Sequence, residues 1–452
     1  MRQFFQNLQT MLDPNARFLH GSTMSHVIRM TLTGMLGLTF MFVVDLANLF
    51  WISRFGDERM VAALGFAWNV QFFSISVGIG LMIGATALVS KAIGQGKREE
   101  ARKFAIGCMA TGVFIQAFIA LLIVIFREQI VRFTGATGET ALLAERFLMI
   151  SVPTLPLMAI GMIGSAILRS EGDAYRAMFV TMSAGLVAMV ADPILIIWFQ
   201  LGLDGAAINT GLSRLVSTSI ALMSVIKVHN LLARLNMSII RLSIIPFLII
   251  ALPAILTQLS GPFASFLVTR AMAEFGDSAV AGLSVVNRLS VVAFGGIFSL
   301  SAAIGGIFGQ NYGAQMYERI KSTYWNGIIF CFIYTLVAWL VLALCTEWII
   351  EIFLLGPLGS DVVKSFNYLA AGGFLFSGLI FVSSSVFNNL GRPIYSTIMT
   401  WSRDGLVMFP AVIIGASIFG ATGVVYGNAL AAVAVGLPSC FFGWLFIRKL
   451  IH

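Results

Sequence analysis

The amino-acid sequence predicts an all-α membrane protein. Twelve transmembrane helices are expected in two parallel-repeat six-helix bundles, related by a pseudo-twofold axis along the membrane normal. Three observations carry this. Of 452 residues, 58% are hydrophobic and only 11% charged, less than half the charged share of a soluble domain. Twelve runs of mostly apolar residues are each long enough to cross roughly 30 Å of hydrocarbon as a helix. None alternates with period two as a barrel strand does. Finally, the chain repeats itself.

Residues 1–26 mix Arg2, Gln3, Gln6, Asp13 and Arg17 with Phe4, Phe5, Leu8 and Met11. They read as an interfacial helix on the inner leaflet or as a leader trailing in solvent. The apolar runs cover 28–52, 61–90, 104–126, 142–168, 178–200 and 205–227, then 244–269, 280–309, 323–346, 362–390, 396–419 and 421–447. This gives an N-lobe over 27–227, a basic linker over 228–243, a C-lobe over 244–447 and a tail, 448–452. The eleventh and twelfth runs are hardest to separate, with only Phe419–Gly423 between them. With the N-terminus inside, 19 of the 28 Lys and Arg fall on the cytoplasmic side, seven outside and two, Arg214 and Arg288, within spans. That bias places both termini in the cytoplasm. It also accounts for the net charge of +8 without nucleic acid.

The repeat has an offset of about 218 residues. Gly56-Asp57 with Val61-Ala62-Ala63-Leu64 matches Gly276-Asp277 with Val280-Ala281-Gly282-Leu283. Gly94-Gln95 and Gly96 match Gly309-Gln310 and Gly313; Gly172–Thr181 matches Gly391–Thr400; Leu203–Ala207 matches Ala421–Val425. Six spans per unit keep both halves in one orientation, an arrangement suited to alternating access.

Enzyme classes find no chemistry here. The four histidines, His20, His26, His229 and His452, lie outside the apolar runs, and the four cysteines show no C-x-x-C spacing. Gly94-Gln95-Gly96-Lys97 does not fit a phosphate loop. Carboxylates inside spans are different, because an ionisable group there is costly and reads as functional. At ~1.5 Å per residue, Asp45 lies about 26 Å from the inner end of its span, Asp192 about 21 Å into its own, and Thr210 about 22 Å above the inner surface. The three share one level. The plain alternative is that each Asp only bonds a neighbouring helix. The second half has Ser265 and Pro410 near the matching positions, so the acidic site belongs to one lobe.

Several motifs occur in order: Asp45 with Phe50 and Gly56, Leu168-Arg169-Ser170-Glu171-Gly172-Asp173, Asp192-Pro193, and Gly205-Ala206-Ala207-Ile208-Asn209-Thr210. On these, the chain resembles the multidrug and toxic compound extrusion (MATE) family over essentially its full length, nearest its bacterial DNA-damage-inducible branch. The resemblance implies an exporter whose coupling ion, H+ or Na+, binds in the N-lobe at Asp45, Asp192 and Thr210. A family asparagine four residues before the fifth-span Asp is here Ala188. Sodium would then need an oxygen from Asn48, Asn209 or Gln71, whereas a proton needs only a carboxylate in apolar surroundings. That tilts the expectation to protons, with Na+ at Asp45 and Asp192 as the alternative and no other cofactor or firm metal site. Pro193 reads as a bend that responds to protonation or as a static kink.

Soft side chains suit a promiscuous cavity, and Met35, Phe42, Met158, Met162, Met178 and Phe179 are the expected lining, though most Met and Phe in such a chain pack against helices and lipid. The expected cargo is an organic cation or amphipathic drug, and the expected state a lipid-embedded monomer in the cytoplasmic membrane. Arg288 is the counter-observation: it lines an anion site or bonds near the outer face. The rival reading is a lipid-linked precursor flippase, which would use Arg288 and Arg214 on a pyrophosphate. Arg403-Asp404 reads as an interfacial pair at the inner end of the eleventh span.

Overall fold

The computed structural model describes residues 16–53 and 58–451. The leader over 1–15 and the Gly56-Asp57 end of the repeat lie outside the described residues. The structure is 90% helix. Eleven helices are long and apolar enough to cross a membrane: α1 Thr23–Ile52, α2 Arg59–Gly94, α3 Arg98–Ile125, α4 Gly138–Ser170, α5 Ala174–Trp198, α6 Gly202–Val228, α7 Met237–Ala273, α9 Tyr317–Leu344, α10 Ala370–Asn389, α11 Pro393–Phe419 and α12 Ala421–Ile451. A twelfth, α8, is a pair, Asp277–Ala293 and Gly295–Gly313, bent by 45°.

The single span expected over 280–309 is therefore broken, and the cause is a side chain in the helical ladder. Gly296 N–H donates to the Tyr334 hydroxyl (3.3 Å), which itself donates to the Ala293 carbonyl (3.0 Å). The ring lies so close that a Cβ on Gly296 would stand 2.6 Å from it. The expected run 362–390 also divides, into a helix Pro357–Tyr368 and then α10. By contrast, α11 and α12 are distinct helices, because Gly420 between them adopts φ +65°, open to glycine at little cost.

The duplication is visible in the backbone. Gly172 and Gly391 turn with φ +80° and +85°, and Gly202 and Gly420 with +52° and +65°. Gly96 (φ +72°) corresponds to Gln315 (φ +57°), each just before the helix that follows. The matching turn thus sits two residues past the Gly313 that the sequence suggests.

The chain forms two compact units. One takes Leu36–Ile255; the other takes Arg17–Met35 together with the chain from Leu256 onward. The division falls inside α1 and α7 and not in the stretch 228–243. In unit one the N-terminal part of α7 presses on α2, where a Cβ on Gly84 would stand 3.0 Å from both Ala251 and Phe247. In unit two the N-terminal part of α1 is tied to α8, Ser299 donating to the Thr31 carbonyl (3.1 Å). The loop before α5 and the residues after α6 are joined on unit one: His229 Nε2 lies 2.9 Å from Asp173, and Arg98 donates to the His229 carbonyl (2.7 Å) and pairs with Glu171 (2.9 Å). Burial pushes the Asp173 carboxyl up, but hydrogen bonds from His229 and Arg176 and the Arg176 charge outweigh it and hold it well below the usual carboxylate range.

Candidate functional site

Small residues set the spacing that assembles the intramembrane site in unit one. α1 packs on α5 through glycines: Gly37 faces Met178 and Thr181 (Cβ distances 3.7 Å), and Gly185 faces Phe40 (2.8 Å) and Val44 (3.0 Å). One turn past Val44 on α1 and two turns past Gly185 on α5, Asn48 meets Asp192. α6 reaches the same place by Gly205, whose Cβ would stand 2.9 Å from the Leu195 carbonyl. That carbonyl belongs to Pro193–Trp198, a π-helical stretch immediately after Asp192. Pro193 has no N–H to give to the ladder, and wider turns of this kind recur at functional sites. One turn after Gly205, Asn209 meets the carboxylate.

Asp192 is buried, with 1% of its surface exposed. Asn48 Nδ2 donates to one oxygen (2.9 Å) and Asn209 Nδ2 to the other (2.5 Å). Ser213 donates to the Asn209 side-chain oxygen (3.4 Å), which fixes the amide's orientation. Asp45 is half-buried, lies within electrostatic reach of Asp192, and has no hydrogen-bond donor among the described residues. The backbone carbonyl of Ala188 receives the second Asn209 bond (3.4 Å). Thr210 is not drawn in: its hydroxyl donates to Ala206 of its own helix (3.0 Å). Of the five expected ion-site residues, four form one cluster and Thr210 stands beside it.

The sequence reading gave no partners to Arg214, although a cation five residues after Asn209 was the available signal. It is buried, and its guanidinium donates to the Ser151 carbonyl (2.9 Å), the Thr154 hydroxyl (2.7 Å) and the Gln71 side-chain oxygen (2.8 Å). Val152–Thr154 is a 3-10 turn around Pro153 inside α4, which leaves the Ser151 carbonyl open to a side chain. Gln71 is committed to this network and not to the carboxylates.

The expected cavity residues scatter. Met178 and Met162 sit over the notches of Gly37 and Gly78 (3.7 and 2.7 Å), and Met158 packs on the unit-one core, each of them part-exposed. Phe179 is exposed and Phe42 half-buried. Met35, in unit two, has its sulfur 3.1 Å from the Tyr334 hydroxyl. Arg288, also in unit two, is exposed on α8 and has no partner among the described residues. Asp404 is buried within a π-helical stretch of α11, Ser402–Val407, and accepts from Arg403 (2.9 Å). No group of three or more His, Cys, Asp or Glu able to hold a metal occurs among the described residues.

The chain is similar over nearly its whole length to known transporters. It is 25% identical over 422 residues to the FAD transporter of Shewanella oneidensis, covering 92% of this chain and 93% of that protein. It is 22% identical over 441 residues to the multidrug export protein MepA of Staphylococcus aureus, covering 94% of each. Its fold matches that of a mutant of the Vibrio cholerae MATE transporter VcmN (TM-score 0.88, 23% identity, 94% and 96% covered). It also matches a Pyrococcus furiosus transporter of the MOP superfamily (TM-score 0.89, 21% identity, 98% and 99% covered). The MatE family model matches twice, over residues 34–194 and 253–414, once in each half of the duplicated chain. The chain therefore belongs to the MatE family of multi-pass membrane transporters, and it is not an enzyme.

Proposed function

We propose that the protein is a secondary active exporter that moves organic, cationic or amphipathic compounds outward against inward H+ flow by alternating access. The observation that carries the reading is the pair of intramembrane carboxylates, Asp45 and Asp192, within electrostatic reach of each other in unit one. Like charges in one apolar space repel, so taking up a cation relieves the pair and lets its helices repack. Both oxygens of Asp192 already accept from amide N–H groups. A sodium ion would need oxygens at those places, so a proton on Asp45 fits better than Na+. The excess of Lys and Arg in the termini and the even-numbered loops supports a cytoplasmic membrane location with both termini inside. The flippase alternative weakens, because Arg214 is engaged by Ser151, Thr154 and Gln71 and only Arg288 remains. A second reading of the cargo is favoured by Arg288: a relative is named for FAD transport, and an unpaired arginine in a span suits an anionic compound better than a cationic one.

The test is efflux of a fluorescent lipophilic cation from proteoliposomes, with a pH gradient or a sodium gradient imposed separately. Export should follow the pH gradient and fall at least tenfold in Asp45→Asn and in Asp192→Asn, with melting temperatures little changed. Full export by both variants would sink the scheme; export with sodium alone would replace the proton by Na+.

A further inference from the structure

α8 carries a polar strip that the coupling chemistry does not use. Along Asp277–Ala293 the residues turned inward are Gly282, Leu283, Val285, Val286 and Ser290. The exposed face holds Ser284, Asn287 and Arg288 together with the small or apolar Ala281 and Val292. Arg288 lies about 16 Å along the helix from Asp277, at 1.5 Å per residue. A guanidinium at that depth is costly to keep among acyl chains, and no described residue supplies it a partner. That cost assigns the Arg288 face to water.

Three turns beyond Asn287, and about 16 Å along the helix before the bend is counted, the same strip reaches Phe298. Its ring is 40% exposed. It is held from behind by Phe374 (ring centroids 5.9 Å, edge-on) and Phe381 (6.1 Å). Phe374 in turn stacks flat on the buried Phe294 at 4.1 Å. The Tyr334 hydroxyl clamps the bend between Arg288 and Phe298. An arginine with no partner among the described residues and a half-open aromatic shelf held from behind thus stand on one exposed face of α8 in unit two.

We propose that this strip is a recognition site for an aromatic organic anion. Arg288, beside Asn287, receives a phosphate or carboxylate through its planar fork of N–H donors, and the Phe298 ring takes the planar aromatic portion. The inference rests on the exporter reading and takes up its second, anionic cargo, narrowed to an aromatic anion.

The probe is riboflavin 5′-phosphate against riboflavin, one ring with and without the anion, binding to the full-length protein in zwitterionic nanodiscs with no gradient. The phosphate should bind at least tenfold tighter. Arg288→Ala should erase that preference and Arg288→Lys restore part of it, which a folding defect would not do. Phe298→Ala should weaken both ligands alike. Equal binding of the two ligands to the unaltered protein, or an undiminished preference in Arg288→Ala, overturns the proposal. If phosphatidylglycerol abolishes binding while Phe298→Ala changes nothing, Arg288 serves a lipid headgroup and the proposal is again overturned. Gradient-driven export measured beside it keeps the two failures apart: export of a cation without phosphate preference sinks this site alone, and preference without export sinks the exporter reading alone.

Discussion

At the scale of single residues, the decisive fact is which charges have partners. Arg214 is buried, yet its three acceptors are all neutral oxygens, so it acts as a clasp joining α2, α4 and α6. Removing it leaves the Gln71 oxygen without a donor, at ~1–3 kcal/mol, while the Ser151 carbonyl keeps only the Thr154 hydroxyl. Arg214→Ala should therefore lower the melting temperature in detergent by several degrees, and Arg214→Lys should recover only part, because an ammonium lacks the planar fork. An Ala variant that melts within a degree of the parent would refute the clasp. The sequence made Asp45, Asp192 and Thr210 legible as one level because helical rise is regular, and it offered Asn48 and Asn209 as further oxygens nearby. Depth says nothing about rotamer, and a hydroxyl in a helix readily finds its own i−4 carbonyl, as that of Thr210 does. For the same reason it could not give Arg214 its partners, which come from a broken turn in α4.

At the scale of elements, glycine sets how near two helices lie. A Cβ on Gly423 would overlap the Gly415 carbonyl oxygen between α11 and α12, the C-terminal counterpart of Gly205 against Leu195. Membrane helices draw much of their stability from such approaches. Gly423→Ala should cost on the order of 1–3 kcal/mol or more and reduce the monodisperse fraction on size exclusion. Gly65, with open space where a Cβ would go, is the control: Gly65→Ala should be neutral or stabilising by ~0.5–1 kcal/mol. Hydropathy made eleven of the helices legible and could not foresee the bend in α8, since that depends on a tyrosine from α9 entering the ladder. The burial of Asp404 beside the part-exposed Arg403 was not legible for a related reason. Counting from the end of an apolar run gives depth, whereas burial depends on the neighbours.

At the scale of the whole molecule, the repeat was legible in the sequence, but the partition of the chain was not. Local composition marks 228–243 as a linker; packing instead assigns the N-terminal end of α1 to unit two and the N-terminal end of α7 to unit one. A chain cut after His229 should show the difference. Each half expressed alone lacks a segment that its unit needs and should be degraded, while the two co-expressed should yield a complex that co-purifies through a single tag. Stable, monodisperse halves on their own would contradict the partition.

The break points, Met35 to Leu36 and Ile255 to Leu256, fall at equivalent positions of the two repeats. A half-length ancestor with this packing could not have completed its own bundle. It would have lent the start of its first helix to a second copy and borrowed the same piece in return. That is a domain-swapped homodimer, and joining the two copies end to end turned an exchange between molecules into a fixed property of one.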